Sequence, residues 1–384
     1  MDFLNSVVGS INDFLWTYII IVVLVGCGLW FTISTGLIQL RALPEMVRLL
    51  AGDLGRRPSG RKAISSFQAF CVSTASRVGV GNIAGVAIAI VTGGPGAVFW
   101  MWVIAFIGTA TGFVESTLAQ IYKIPRGHGL FHGGPAYYIQ NALGQPAVAK
   151  LFAVLISVTF GLIYVSVQAN TIALSMEKAF GIDTYLMGGV LAVLAGVVIF
   201  GGIQRVATLS ALLVPIMAGI YLLIAFIIIL MHIDQVPAMF ALILHDAFSP
   251  QAAVGGGIGT AILTGIRRGL FSNEAGEGSI PNAAATANVT HPVKQGLVQA
   301  FGVYVDTWIV CSATAFIVLL TGQYTIGGDT TGIALAQDSL ASVFGPWASS
   351  LLAVLIFLFA FSSVVGNYYY GEINIHFITE NTKP

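Results

Sequence analysis

Apolar runs long enough to cross a lipid bilayer recur along this chain. The first, Tyr18-Ile19-Ile20-Ile21-Val22-Val23-Leu24-Val25, has counterparts as far downstream as Ala353-Val354-Leu355-Ile356-Phe357-Leu358-Phe359. Lipid offers backbone groups no hydrogen-bond partners, so only helices of about 20 residues or closed barrels can span it. The polar/apolar alternation of barrel strands is missing, which leaves helices. With 57% hydrophobic and 8% charged residues, against about 25% charged in soluble domains, the chain reads as an all-α polytopic membrane protein. Only Asp2 and Asp13 carry charge before Phe14. The first run therefore lacks the basic flank of a cleaved signal and is read as a membrane helix.

Several function classes drop out. The formal net charge is zero, and no phosphate-binding loop or basic patch points to nucleotides or nucleic acid. No HExxH, GxSxG or paired catalytic aspartates occur in the crossings, so the chain is expected not to be an enzyme. Cys27, Cys71 and Cys311 lack CxxC spacing and read as small core residues. His128 and His132 stand four apart, but "PRGHGLFHGGP" is too rich in glycine and proline to hold them on a helix as metal ligands.

The hydropathy pattern predicts nine crossings, at about 14–35, 66–92, 96–122, 150–176, 185–203, 207–231, 254–286, 296–320 and 347–372. Counted this way, twelve of the sixteen bases fall on one side: Arg41, Arg48, Arg56, Arg57, Arg61, Lys62, Lys123, Arg126, Lys150, Arg205, Lys294 and Lys383. The other side holds acids and Lys178. The positive-inside rule then places the amino terminus outside and the carboxyl terminus of this chain in the cytoplasm.

The remaining bases, Arg77, Arg267 and Arg268, lie inside crossings two and seven. Both crossings are glycine-rich and polar at their centres, "SRVGVGNIAGV" and "VGGGIGTAILTGIRRGLFSNEAGEGSIPNAAATAN". Each is predicted to be a helix broken in mid-membrane, a feature tolerated only where it lines a cavity. The two breaks lie five crossings apart, and the charge count runs them in opposite directions. The expectation is an inverted five-helix repeat: residues 1–64 a peripheral first helix and basic segment, 65–232 the first repeat, 253–384 a second repeat of three crossings that lacks its last two helices.

Freed carbonyls can strip water from a small cation, and freed amides can hold a carboxylate. That combination suits a small zwitterion with Na⁺. Gly79, Gly81 and Asn82 at the first break, Gln168 in crossing four, Asn273 at the second break and Asn367 in crossing nine are the candidate substrate contacts. Ser362 and Ser363 offer hydroxyl oxygens to a cation, or bond back to their own helix. Arg77, Glu115 and Glu274 are expected to form a gate or internal salt bridges.

Five motifs, GVGNIAGVA, "GGPGAVFWMWVIAFIGTATGFVE", VQANTIA, "RRGLFSNEAGEGSIPNAAA" and FAFSSVVGNYYYGE, resemble the alanine/glycine:cation symporter family over nearly the whole chain. The resemblance implies a leucine-transporter-like fold of eleven crossings in the plasma (inner) membrane. It also implies sodium-coupled import of alanine or glycine, with D-alanine accepted by some members, and no cofactor. Fold-level analogy adds Na⁺ ligands at the Ala75 and Val78 carbonyls with Ser362 and Ser363. Some relatives carry tryptophan where this chain has Asn367. A proton-coupled or uniporting carrier of small neutral amino acids is the alternative.

Overall fold

The computed structural model describes residues 2–53, 63–249 and 259–380. Arg56, Arg57, Arg61, Lys62 and Lys383, and the glycines 255–257 that open the seventh predicted crossing, lie outside the described residues. Within the described residues all regular structure is helical, apart from a two-residue hairpin and the isolated bridge Ile64–Ala287.

Among the described residues, six helices are long and apolar enough to cross a membrane. In a numbering that follows the chain, the helices that matter here are α1 (Ser6–Ser34), α2 (Leu43–Asp53), α3 (Ser66–Arg77), α4 (Gly81–Gly93), α5 (Gly96–Ile121), α6 (Pro135–Leu143), α7 (Pro146–Phe180), α8 (Thr184–Ile199), α9 (Gly202–Met231), α10 (Val236–Ala247), α11 (Thr260–Asn273), α12 (Ile280–Ala284), α13 (Pro292–Thr321), α14 (Gly332–Phe344) and α15 (Trp347–Glu380). The six spans are α1, α5, α7, α9, α13 and α15, and the bent pair α3–α4, with 51° between its halves, makes a seventh.

Two of the nine predicted crossings differ in kind. The fifth is α8, whose 16 residues reach roughly 24 Å, short of a bilayer core of about 30 Å. The seventh divides into α11 and the single turn of α12, because Glu274, Gly276 and Gly278 all adopt positive φ and end the helix. Helix α15 runs on to Glu380, past the expected end near 372, since no glycine or proline stands between Gly371 and Glu380 to stop it.

Local chemistry sets the ends. Ser65 and Gln68 form a capping box at the start of α3, each side chain accepting from the other's backbone N–H at 3.1 and 3.0 Å. Asp246 Oδ2 accepts from Gly96 N at 2.7 Å and so places a carboxylate at the positive end of α5. Glycines then bring backbones together. A methyl on Gly265 would strike the Ala97 carbonyl of α5, and one on Gly269 would crowd Met101. On the opposite flank Gly161 of α7 faces Gly371 of α15, with 3.1 Å left to a methyl on the latter. Cys71 and Cys311 are buried as expected, whereas Cys27 is exposed on α1, a helix that packs only one face on the bundle.

The predicted connections gather at two ends. Lys178 pairs with Asp338 at 2.7 Å, and Gly327 N bonds the Val91 carbonyl, at one end. At the other, the hairpin β1 (Ile124–Pro125) and β2 (Phe131–His132) is tied down by the Arg126–Glu380 ion pair and by Lys123 Nζ, which donates to the Ala287 carbonyl at 2.6 Å. Burial, with the charges of Arg126 and His376 beside it, lowers His132 to about 4. A free histidine titrates near 6.5. Neutral His132 therefore stabilises the hairpin in full above about pH 6.5, and that contribution fades as the pH falls through about 4. Amide exchange across residues 124–132, corrected for intrinsic rates, is expected to quicken over that window and to lose the dependence in His132→Gln. An identical profile in the variant would exclude His132 as the cause.

Candidate functional site

The two breaks lie side by side. Helix α3 ends where Val78 leaves helical geometry, with φ −80 and ψ 88. Helix α4 then opens with wide π-type turns over Gly81–Gly85, and similar turns occur at Thr159–Tyr164 in α7 and Tyr304–Cys311 in α13. A wide turn rotates the following side chains out of the 3.6-residue register, and such turns favour functional sites.

Between the breaks is a cavity of about 10 Å³, enough for about one water molecule. Ser76, Arg77 and Gly81 line it from the first break, Phe271 and Glu274 from the second, Tyr164 and Gln168 from α7 and Asn367 from α15. The Tyr164 and Phe271 rings meet at a 5.3 Å centroid distance, edge toward face, and close one wall. Gly81 is small for a reason: a methyl there would press on Phe271 at 3.3 Å.

Of the candidate substrate contacts, Gly81, Gln168 and Asn367 reach this cavity. Gln168 Oε1 also accepts from Val80 N at 3.1 Å, holding the unwound stretch. Asn367 Oδ1 lies 2.5 Å from Ser76 Oγ. Asn82 and Asn273 do not line the cavity. Asn82 is fully buried, with Oδ1 accepting from Gly79 N at 3.0 Å and Nδ2 donating to Asp306 Oδ1 at 2.6 Å. Asn273 Oδ1 accepts from Ala275 N at 3.0 Å and so caps the second break.

Among the candidate cation ligands, Ser363 Oγ donates to the Ala75 carbonyl at 2.8 Å, which brings α15 against the first break next to Gly79. Val78 is buried there, its N–H held by the Thr74 carbonyl at 2.7 Å. Ser362 turns aside, bonding back to the Phe359 carbonyl at 2.8 Å in the manner of a helix-interior serine.

The salt bridges expected of Arg77 are not formed: the ion pairs within 4.0 Å among the described residues do not include it. Arg77 Nη2 instead donates to Ser73 Oγ at 2.5 Å and Gln299 Oε1 at 3.3 Å, while its guanidinium fills the space a side chain on Gly302 would need. Hydrogen bonds to neutral oxygens avoid placing a tightly paired ion couple in a low-dielectric interior. Glu115 Oε1 accepts from Gly276 N at 3.3 Å, steadying the loop after the second break. Glu274 accepts from Ser76 Oγ at 2.9 Å and from Ser279 Oγ at 2.5 Å, so it joins the two breaks.

Sequence reasoning passes over Asp306 as a hub. Its carboxylate takes Asn82 on one oxygen and, on the other, Ser272 Oγ at 2.9 Å and Thr307 Oγ1 at 2.8 Å. The signal is present, since an acid within "YVDTWIVC" has no cheap place in lipid. Tyr164 and Phe271 give no such signal, because a cavity-lining aromatic and a lipid-facing one look alike in an apolar crossing.

A bundle of apolar helices, two of them interrupted around one small polar cavity, has the architecture of a membrane transporter. The chain belongs to the sodium:alanine symporter family, whose model matches residues 1–384. It is 53% identical to the amino-acid carrier protein AlsT of Bacillus subtilis, over 98% of this chain and 79% of that protein. It is 51% identical to the probable sodium/glutamine symporter GlnT of the same organism, over 99% of this chain and 79% of the relative. The sodium/alanine symporter AgcS of Methanococcus maripaludis is 38% identical, over 97% of this chain and 83% of its own length.

Proposed function

We propose that this protein imports alanine, and glycine with it, together with Na⁺ across the plasma membrane by alternating access, the amino terminus outside. The observation that carries the reading is the shared cavity of the two interrupted helices, set within a chain of the sodium:alanine symporter family. Two inverted repeats, residues 65–232 and 253–384, are the frame we assign to it, with residues 1–64 peripheral.

In this reading the substrate meets Gly81, Gln168 and Asn367 directly. Gly79, Asn82 and Asn273 hold the breaks open around it. Na⁺ takes oxygen ligands from Ala75, Val78 and Ser363, with Ser362 joining by a change of rotamer. The small cavity supports a small substrate, because each added methylene must displace packed atoms such as the Tyr164–Phe271 pair. Alanine uptake by the protein in liposomes is expected to rise at least about tenfold under an inward sodium gradient. Unlabelled glycine and D-alanine should compete, and glutamine, after which one relative is named, should compete poorly. Uptake undiminished without sodium would reject the coupling.

A further inference from the structure

Glu274 has more to do than join the two breaks. Among the described residues it is the one carboxylate that lines the cavity, it is 3% exposed, and it sits at the break itself with φ +55. Its hydrogen bonds admit a simple proton count. Ser76 Oγ carries one hydrogen yet lies 2.9 Å from Glu274 Oε1 and 2.5 Å from Asn367 Oδ1, both acceptors as placed. With a proton on Glu274 every group is served: the carboxyl donates to Ser76, Ser76 to Asn367, and Ser279 to the second carboxyl oxygen. If the Asn367 amide is turned over, its Nδ2 donates to Ser76 and Ser76 donates to an ionised Glu274. The network therefore has two complete states that differ by one proton.

Glu115, Glu277 and Asp306 act on the same region from α5, the second break and α13, with the hydroxyls of Tyr164 and Tyr370 beside them and Arg77 as the facing base. Among the described residues, Arg77 Nη1 is buried with no hydrogen-bond partner. Glu115, Glu274 and Asp306 are buried with Arg77 in one low-dielectric interior.

We propose that Glu274 recognises the ammonium group of the substrate and exchanges its carboxyl proton for it. The carboxyl O–H bond breaks and the proton leaves to bulk water. The substrate ammonium then donates N–H to the carboxylate oxygen in the proton's place. Arg77 lines the same cavity, with its guanidinium held by Ser73 and Gln299. The inference rests on the reading of this cavity as the alanine site.

The test is alanine binding in weakly buffered detergent solution at saturating sodium, with a pH-indicator dye. Wild type is expected to release up to about one proton per alanine, and its affinity to weaken toward tenfold per pH unit on the acid side. Glu274→Gln keeps the neutral shape but has no proton to give. It should bind alanine at least about tenfold more weakly and with no pH dependence. Ser279→Ala removes a donor that serves the ionised carboxylate, so it should move the midpoint of the profile up by about half a unit or more. This second variant decides the matter if Glu274→Gln does not fold or does not bind. Absence of proton release in wild type between about pH 5 and 9, undiminished release in Glu274→Gln, or an unmoved Ser279→Ala profile would each overturn the exchange. Binding that ignores sodium but still releases a proton would instead sink the symport reading and leave the exchange standing.

Discussion

Asn82→Ala is expected to lower the stability of the folded protein by about 3 kcal/mol or more, and to abolish alanine binding in what remains folded. The carboxamide serves two ends at once. Its oxygen takes the N–H of Gly79, which the broken helix leaves without a helical partner. Its nitrogen donates to both the side chain and the backbone carbonyl of Asp306, at 2.6 and 3.2 Å. Truncation leaves an orphaned backbone donor and a buried carboxylate short of its best hydrogen bond. Thermal unfolding in detergent, with and without alanine, reads both effects. If the loss runs through Asp306, then removing that carboxylate as well, in Asn82→Ala with Asp306→Ala, should cost less than the sum of the two single changes. A wild-type melting temperature in Asn82→Ala would show that the amide is dispensable to the break.

Gly79→Ala should remove at least about tenfold of the sodium affinity, and transport with it. A methyl at this position falls against Ser363 Oγ, and 2.9 Å from Gln168 Oε1. Both side chains must give way. Ser363 then leaves the Ala75 carbonyl, and Gln168 leaves Val80 N. The first loss spoils the proposed cation ligands, the second loosens the unwound strand that faces the substrate. Gly85→Ala is the control, because a methyl there meets nothing closer than the Val80 carbonyl at 4.0 Å. Calorimetric titration with sodium distinguishes them, and equal affinities in the two variants would remove Gly79 from the cation site.

The membrane spans are legible in the sequence because hydropathy over about 20 residues needs no knowledge of neighbours. The breaks are legible too, since lipid tolerates arginines, asparagines and clustered glycines at mid-membrane only around a polar interior. What escapes is direction. Asn82 and Gln168 are both amides in apolar surroundings, and only the wide turns at 81–85 and 159–164 decide that one faces Asp306 and the other the cavity. A 3.6-residue pattern carries no record of such turns. Arg77 departs from expectation for a similar reason. Its charge implies an ionic partner, whereas Ser73 one turn back and Gln299 across the interface satisfy it with neutral oxygens. The division of crossing seven follows from its glycines, but the small size of α8 does not follow from its composition, because an apolar run does not announce how many of its residues stay helical.

The glycine seams have a mechanical consequence. Where Gly161 meets Gly371 between α7 and α15, backbone rests on backbone with no side chain between to act as a bearing, and Gly265 and Gly269 seat α11 tightly against Ala97, Trp100 and Ile104 of α5. Surfaces so close cannot slide by rotamer changes, so each seam moves as one piece. Opening the cavity then resembles the parting of two welded frames along the plane where the helix breaks meet, and a bulkier residue in either seam should jam the carrier at a distance from its substrate.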